Sequence, residues 1–334
     1  MRKELEIWQF AVARLKQNET VMLLVVAESA GSSPGRQGFK MAVAEDGMCG
    51  SIGGGAMEVR LVERAKSKIQ NLKSADTANG KRQTAIVEQV HRKDSPDGSG
   101  MICSGRQTVI FFRLNSEDLT AIYKIVRALE KHESAILQMA SSGFQILENQ
   151  TCDFDFQFEK TGENEFIFQE KLGFKNKLSI VGGGHCALAL SEIMSKMDFH
   201  ITLFDDRPNL NTLSKNKFVH AKRVVESYEN INDLIDSGAH HFVVVMTVGY
   251  KTDEIVVRKL LGKDFKYLGV LGSRAKMRTL LRDLKTEGFD AKKLNRIRAP
   301  IGLPINSRTP EEIAVSIAAE IIAVKNAAAK KIRV

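Results

Sequence analysis

The segment LSIVGGGHCALAL, residues 178–190, constrains this chain more than any other stretch. A short apolar run ends in three glycines, and an apolar, helix-like run follows at once. In the pattern Gly182-x-Gly184-x-x-Ala187, the first glycine permits a tight turn and the second lets backbone N–H groups approach a phosphate. The small third residue allows close helix–strand packing. The next apolar run, HITLFDD, ends in Asp205 and Asp206, a little over twenty residues beyond Gly182. There an acid at the end of a second strand can bind a ribose hydroxyl. RVVES, HFVVVMT and YLGVLGS continue an alternation of strands and helices, as a doubly wound parallel sheet requires. Residues 177–334 are therefore expected to form a Rossmann-like domain. Gly182, Gly184, Asp205 and Asp206 are either a nucleotide or NAD(P) site or a Rossmann-like turn that no longer binds one. His185 at the helix start reads first as an N-terminal hydrogen-bonding residue. In RTPEEIAVSIAAEIIAV, Thr309 is the expected N-cap, Pro310 the first helical residue and Glu312 the capping-box acid. Glu320, inside that apolar helix, needs a buried partner.

A second triple glycine stands in CGSIGGGAMEVRL, residues 49–61. Two short alternating runs around Asp46-Gly47 precede it and predict a hairpin rather than a single strand. Gly53, Gly54 and Gly55 are thus not a dinucleotide loop. They are either an anion turn, exposing helix N–H groups with no side chain in the way, or a plain tight turn. Glu58, in the first turn of the following helix, either serves the helix dipole or orients a ligand amine. With an amphipathic N-terminal helix and strands at ETVMLLVVAES, TAIVEQV and QTVIFFRL, residues 1–140 read as an α+β domain. Ser116 is the expected cap of the helix SEDLTAIYKIVRALEKH. Polar and apolar residues alternate on both sides of TGEN, so residues 141–176 read as a β-hairpin linker, with the domain boundary near 175.

The net charge of +9 is spread along the chain, 49 basic residues among 40 acids, with no basic tract interleaved with aromatics. Nucleic acid is not the expected partner; a mild positive field suits a phosphate-bearing small ligand equally well. The four cysteines form no C-x-x-C pair, which argues against a zinc site or a disulfide framework. Cys49 and Cys152 read as packed thiols, and Cys186 as a thiol in a first helical turn. No signal peptide or membrane span is visible, so a cytoplasmic protein is expected.

GSSPGRQGFKMAV followed by GSIGGGAMEVRL resembles the N-terminal signature of the xanthine dehydrogenase accessory factor family (XdhC/CoxI). GMICSGRQTVI resembles its cysteine-glycine segment. VGGGHCALAL…FDDRP, YLGVLGSRAKM and PIGLPINSRTPEEIAVSIAAEI resemble its C-terminal Rossmann domain. The resemblance implies a molybdenum cofactor (molybdopterin) chaperone rather than a catalyst. It would assist sulfuration of the cofactor, with a cysteine desulfurase as sulfur donor, and insertion into a molybdenum hydroxylase apoenzyme such as xanthine dehydrogenase. A homodimer is implied as well. Carried over by position, the cofactor-binding candidates are Ser32, Ser33, Gly53, Gly54, Gly55, Glu58 and Cys103, then Gly182, Gly184, His185, Asp205, Asp206, Arg207, Ser273, Arg274 and Lys276. Cys103 is the candidate soft contact to molybdenum. Three positions depart from the family pattern: Gly35 replaces a common basic residue, Ser104 intervenes before Gly105, and Val248 stands where a histidine is usual. The alternative, resting on the glycine pattern and acid pair alone, is an NAD(P)-dependent oxidoreductase.

Overall fold

A computed structural model describes residues 2–74, 83–90, 105–148, 150, 152 and 154–327 of the chain. Every residue from Val21 to Ala27 is buried, because the run VMLLVVA lies in a strand covered on both faces. Side chains alternate along it. Val21, Leu23 and Val25 enter one core with Trp8, Ile122 and Phe112, whereas Met22, Leu24 and Val26 enter a second with Leu61, Ala65 and Phe111. The elements around this strand are α1 (Arg2–Leu15), β1 (Val21–Gly31), β2 (Lys40–Val43), β3 (Met48–Gly50), α2 (Gly55–Ser74), β4 (Thr84–Val90) and β5 (Gly105–Leu114). The sheet is antiparallel in the order β3-β2-β1-β5-β4. The expected hairpin turns at Asp46-Gly47, where Ala44 N–H donates to the Gly47 carbonyl at 2.8 Å.

The chain continues through α3 (Leu119–Lys131), β6 (Ala135–Ala140), β7 (Gly143–Glu148), β8 (Phe156–Lys160) and β9 (Phe166–Leu172). The cap before α3 lies one residue earlier than expected. The Asn115 side chain accepts from Glu117 N–H, and Asp118 accepts from Asn115 N–H, so Ser116 is inside the turn. β8 and β9 form the hairpin that alternation indicates, yet they join β6 and β7 in one antiparallel sheet, β7-β6-β9-β8. Phe166, Phe168 and Leu172 are buried with Ile122, Leu137 and Met139. The chain divides into compact units after Gly173, so β7, β8 and β9 belong to the first unit. Local alternation could not reveal this, because it depends on the pairing of β6 with β9.

Lys40 joins the two sheets of the first unit. Its ammonium pairs with Glu170 on β9 and with Glu4 on α1 (2.9 Å to the latter), and the Lys40 and Glu170 side chains are 3% and 2% exposed. Burial pushes the Lys40 ammonium down, but Glu170 and Glu4 together push it up further, so the lysine stays charged.

The second unit comprises β10 (Asn176–Val181), α4 (His185–Met194), β11 (Phe199–Asp205), α5 (Asn211–Lys215), β12 (Ala221–Val224), α6 (Ile231–Leu234), β13 (Gly238–Val245), α7 (Tyr250–Leu260), β14 (Phe265–Val270), α8 (Arg274–Thr286), α9 (Ala291–Leu294), β15 (Ile297–Arg298) and α10 (Pro310–Asn326). Its sheet is parallel throughout, in the order β12-β11-β10-β13-β14-β15. This is the doubly wound order, reversing direction between β10 and β13. Leu178, Ile180, Leu203 and Val244 pack on α4 and α10, while Val181, Val243 and Val245 pack on α7 and α8. Thr309, Pro310 and Glu312 open α10 as the sequence indicates. Glu320 finds its partners in the Tyr267 hydroxyl and Gly302 N–H. Among the described residues no helix is long and apolar enough to cross a membrane.

Glu170→Leu leaves the Lys40 charge buried with Glu4 and is expected to cost about 3–5 kcal/mol in urea unfolding. The double change Lys40→Met/Glu170→Leu removes both charges and should regain most of that loss. An equally unstable double variant would contradict a cost that arises from the stranded charge.

Candidate functional site

β10 leaves the sheet at Gly182, where φ is +106° and a Cβ would lie 2.3 Å from the Met246 carbonyl oxygen at the end of β13. Only glycine lets the two strand exits pass this closely. Gly182 N–H donates to the Phe204 carbonyl (2.8 Å), and Gly183 N–H donates to Asp205 Oδ2 (2.6 Å). Asp205 is fully buried. It also accepts from Arg207 N–H (2.9 Å), Nε (2.9 Å) and Nη2 (2.8 Å). Burial pushes this carboxyl up, but the Arg207 guanidinium and the backbone N–H groups outweigh it and hold the group below the usual carboxylate range.

This differs from the ribose-binding role expected of Asp205, since the acid's hydrogen-bonding capacity is already engaged within its own turn. The sequence marked an acid at the right distance; it did not show that Arg207, two residues on, folds back onto it. Asp206 is 35% exposed at the side chain. Gly184, by contrast, is open. It is the N-cap of α4 with no side-chain cap, and a Cβ there would meet nothing. His185 is exposed at the first position of α4. Burial, with Glu311 nearby, pushes the Cys186 thiol up.

Across the switch point, the loop after β13 carries a network that the sequence reading missed. Asp253, in the first turn of α7, is fully buried and accepts from Thr247 N–H (2.9 Å) and the Thr247 hydroxyl. Its other oxygen accepts from Lys276 Nζ at 2.6 Å. Lys276 is therefore committed to an internal ion pair, whereas Arg274, beside it at the start of α8, is exposed. Ser273 caps α8 by accepting from Lys276 N–H. Val248 is 74% exposed. The only signal for Asp253 was an acid placed just after a strand end, and its partner lies 23 residues away.

In the first unit three glycines bring separate motifs together. A Cβ on Gly53 would come 2.5 Å from Gly35 N, one on Gly35 would come 2.2 Å from the Ile52 carbonyl oxygen, and one on Gly105 would come 2.5 Å from Ser33 N. The GSSPG loop thus packs backbone to backbone on the glycine turn and on the start of β5. Ser33 is buried and donates to Gln107 Oε1 at 2.9 Å, while Ser32 is exposed.

The turn's N–H groups point at Glu58. One carboxylate oxygen accepts from Ser51 Oγ (2.7 Å), Ile52 N–H (2.8 Å) and Gly54 N–H (2.9 Å). Burial raises this group, but the Ser51 hydroxyl and the backbone N–H groups overcome it and lower its pKa. The anion on this turn is the protein's own carboxylate. Cys103 and Ser104 lie outside the described residues. Among the described residues no group of three or more His, Cys, Asp or Glu side chains is arranged to hold a metal ion.

A parallel sheet in this strand order, with a glycine turn at its switch point, defines a Rossmann-domain protein joined to an α+β unit. Residues 178–321 match the XdhC Rossmann domain, and residues 14–77 match the XdhC and CoxI family. The chain belongs to the XdhC/CoxI family. It is 24% identical, over 93% of its length and 94% of the relative's, to a Bacillus subtilis (strain 168) protein that is named a probable xanthine dehydrogenase subunit. It is 31% identical to the Escherichia coli (strain K12) protein named uncharacterized protein YqeB. That match covers 48% of this chain and spans 29% of the relative. A crystal structure from Bacillus halodurans described as a xanthine dehydrogenase has the same fold. Its TM-score is 0.69 at 21% identity, covering 99% of this chain and 98% of that one.

Glu58 and Asp205 both have folded-state pKa values below their unfolded values of about 4. The stability they contribute is complete above that range and is lost as pH falls through the lowered folded values. Urea midpoints recorded from pH 7 to pH 3 should therefore fall steeply below about pH 4. Glu58→Gln should show a lower plateau and a shallower acid limb. Separately, Gly53→Ala should cost about 2–4 kcal/mol, from the +135° φ and the contact with Gly35. A neutral Gly53→Ala would contradict the backbone packing.

Proposed function

We propose that this chain is an accessory factor that binds the molybdenum cofactor and assists its sulfuration and insertion into a molybdenum hydroxylase of the xanthine dehydrogenase kind. The family supports the accessory role, and the names of the Bacillus relatives support the kind of enzyme served. The observation that carries the reading on this chain is the uncapped N-terminus of α4. Gly184 leaves first-turn N–H groups open at the sheet's carboxyl edge, beside the switch point, and this suits the phosphate of an anionic cofactor.

The residues fit such a group unevenly. Gly184 and the first turn of α4 would hold the phosphate, on the tight turn that Gly182 permits, with Arg274 as an exposed cation at the exit of β14, two strands from β10. The N–H groups of Ile52, Gly53 and Gly54 are engaged by Glu58 and Ser51, so a phosphate on this turn would confront a carboxylate. Gly53, Gly54, Gly55, Glu58 and Ser33 build the loop cluster instead of binding the anion directly. Asp205 and Arg207 shape the turn beneath Gly183, and Lys276 fixes Asp253. Cys103 retains its proposed role as soft contact to the metal, on the strength of the family motif. When bound, the cofactor supplies the metal chemistry; this chain's residues bind, orient and shield it.

A cysteine desulfurase as sulfur donor, a molybdenum hydroxylase apoenzyme as recipient, a homodimer and a cytoplasmic location belong to the same proposal. The NAD(P)-dependent oxidoreductase reading loses support from the engagement of Asp205 with Arg207, which leaves Asp206 as the remaining acid for a ribose.

The test is retention of cofactor released from a donor enzyme, measured as pterin fluorescence after gel filtration. Wild type should retain pterin, and Cys103→Ala should retain less. Gly184→Asp, which caps α4 with a carboxylate, should fold normally and bind at least ~10-fold more weakly, about 1.4 kcal/mol. No retention by wild type, with a thermal midpoint raised by NAD or NADP, would overturn the proposal.

A further inference from the structure

The amino-terminal end of β14 borders a cavity of about 290 Å³, at the opposite edge of the parallel sheet from Gly184. Five cations line it: Lys263, Lys266, Lys293, Arg296 and Arg298. Among the described residues, no aspartate or glutamate does. Two of the five are held by the protein. Lys263 donates to the carbonyls of Asn232 and Ile235, the latter at 2.6 Å, and Arg296 pairs with Asp264 at 2.8 Å and donates to the Phe265 carbonyl at 3.1 Å. Lys266, Lys293 and Arg298 are exposed, and their side chains have no hydrogen-bond or ion-pair partner among the described residues.

The walls between these cations are mixed, with Asn295 and Tyr267 beside apolar side chains. Phe265, Leu268 and Ile297 line the cavity and are each 7–8% exposed, more than the wholly buried residues of the same core. Lysines at a solvated surface normally stand among acids of opposite sign; here three cations with unpaired side chains line one concavity that also exposes edges of Phe265, Leu268 and Ile297. An arginine supplies the planar, bidentate donor geometry that suits phosphate and carboxylate. The volume is at the lower end of the small-molecule range.

We infer that this cavity is a second binding site, specific for a small dianion carried on a flat apolar body, of the kind exemplified by an aryl phosphate. Arg298 and Lys266 hold the charged end, and Phe265, Leu268 and Ile297 receive the apolar end. The site is independent of the anion position at α4, since the two lie at opposite edges of the sheet and share no residue. Burying part of an aromatic body adds affinity that inorganic phosphate lacks, and the exposed cations make binding weaken with salt.

The test is calorimetric titration of the full chain with phenyl phosphate, inorganic phosphate and phenol at low and high salt. Phenyl phosphate should bind saturably and more tightly than either of the others, and should weaken at high salt. Lys266→Glu/Arg298→Glu should reduce its affinity at least tenfold with the thermal midpoint unchanged. If that pair fails to fold, Lys293→Ala should give a smaller loss in the same direction. Gly184→Asp should leave the part of the binding that Lys266→Glu/Arg298→Glu removes unaltered. Absence of saturable binding at millimolar phenyl phosphate, binding unchanged in the charge-reversed variant, or loss of the Lys266- and Arg298-dependent binding in Gly184→Asp would overturn the assignment. Phenyl phosphate binding no tighter than inorganic phosphate would overturn the apolar half of it.

Discussion

The carboxylate of Asp205 is wholly out of solvent and accepts hydrogen bonds from Gly183 N–H and from three donors of Arg207. A buried carboxylate without such partners would cost several kcal/mol. The turn after β10 and the turn after β11 are therefore obliged to adopt conformations that satisfy it. Gly182 is held against Met246 in consequence, and Gly184 is left as an open helix cap. The carboxyl edge of the sheet is thus organised by an internal anion, which leaves the first turn of α4 as the position available to an external one. Asp253 does the corresponding work across the switch point, fixing Thr247 from one side and Lys276 from the other.

The first unit uses the same device. Glu58 closes the turn at Gly53–Gly55, and the turn's glycines allow the GSSPG loop and the start of β5 to approach as bare backbone. In the same unit Lys40 and Glu170 link the two sheets through a buried ion pair. Such pairs add less net stability than hydrophobic residues of equal volume, but losing one partner is severe. The internal carboxylates therefore act as constraints on geometry, and they separate residues that build the fold from residues left free to meet a ligand.

Much of this architecture could be read from local pattern. The doubly wound order follows from the alternation of strands and helices after residue 177. The capping box at Thr309 and the hairpin at Asp46-Gly47 are local features that the chain adopts as written. What local pattern could not supply were pairings distant in sequence. The alternating stretch ending at Leu172 looked like a connector because its partner strand, β6, begins more than twenty residues earlier. Glycine turns and nearby acids were legible as motifs. Their spacing, however, is the same whether the acid awaits a ligand or already holds the turn, as Glu58 and Asp205 do. Asp253 was illegible because its role is defined by Lys276 on another helix.

Of the two glycine turns, the one at Gly53–Gly55 carries the Glu58 carboxylate on its N–H groups whereas no side chain caps α4, and the binding reading depends on that difference. A backbone amide NMR titration of the protein with a phosphate-bearing pterin measures it directly. Progressive shifts are expected for the amides of His185, Cys186 and Ala187, while those of Ile52 and Gly54 stay in place on Glu58. Shifts concentrated at Ile52 and Gly54, with the α4 amides unmoved, would contradict it.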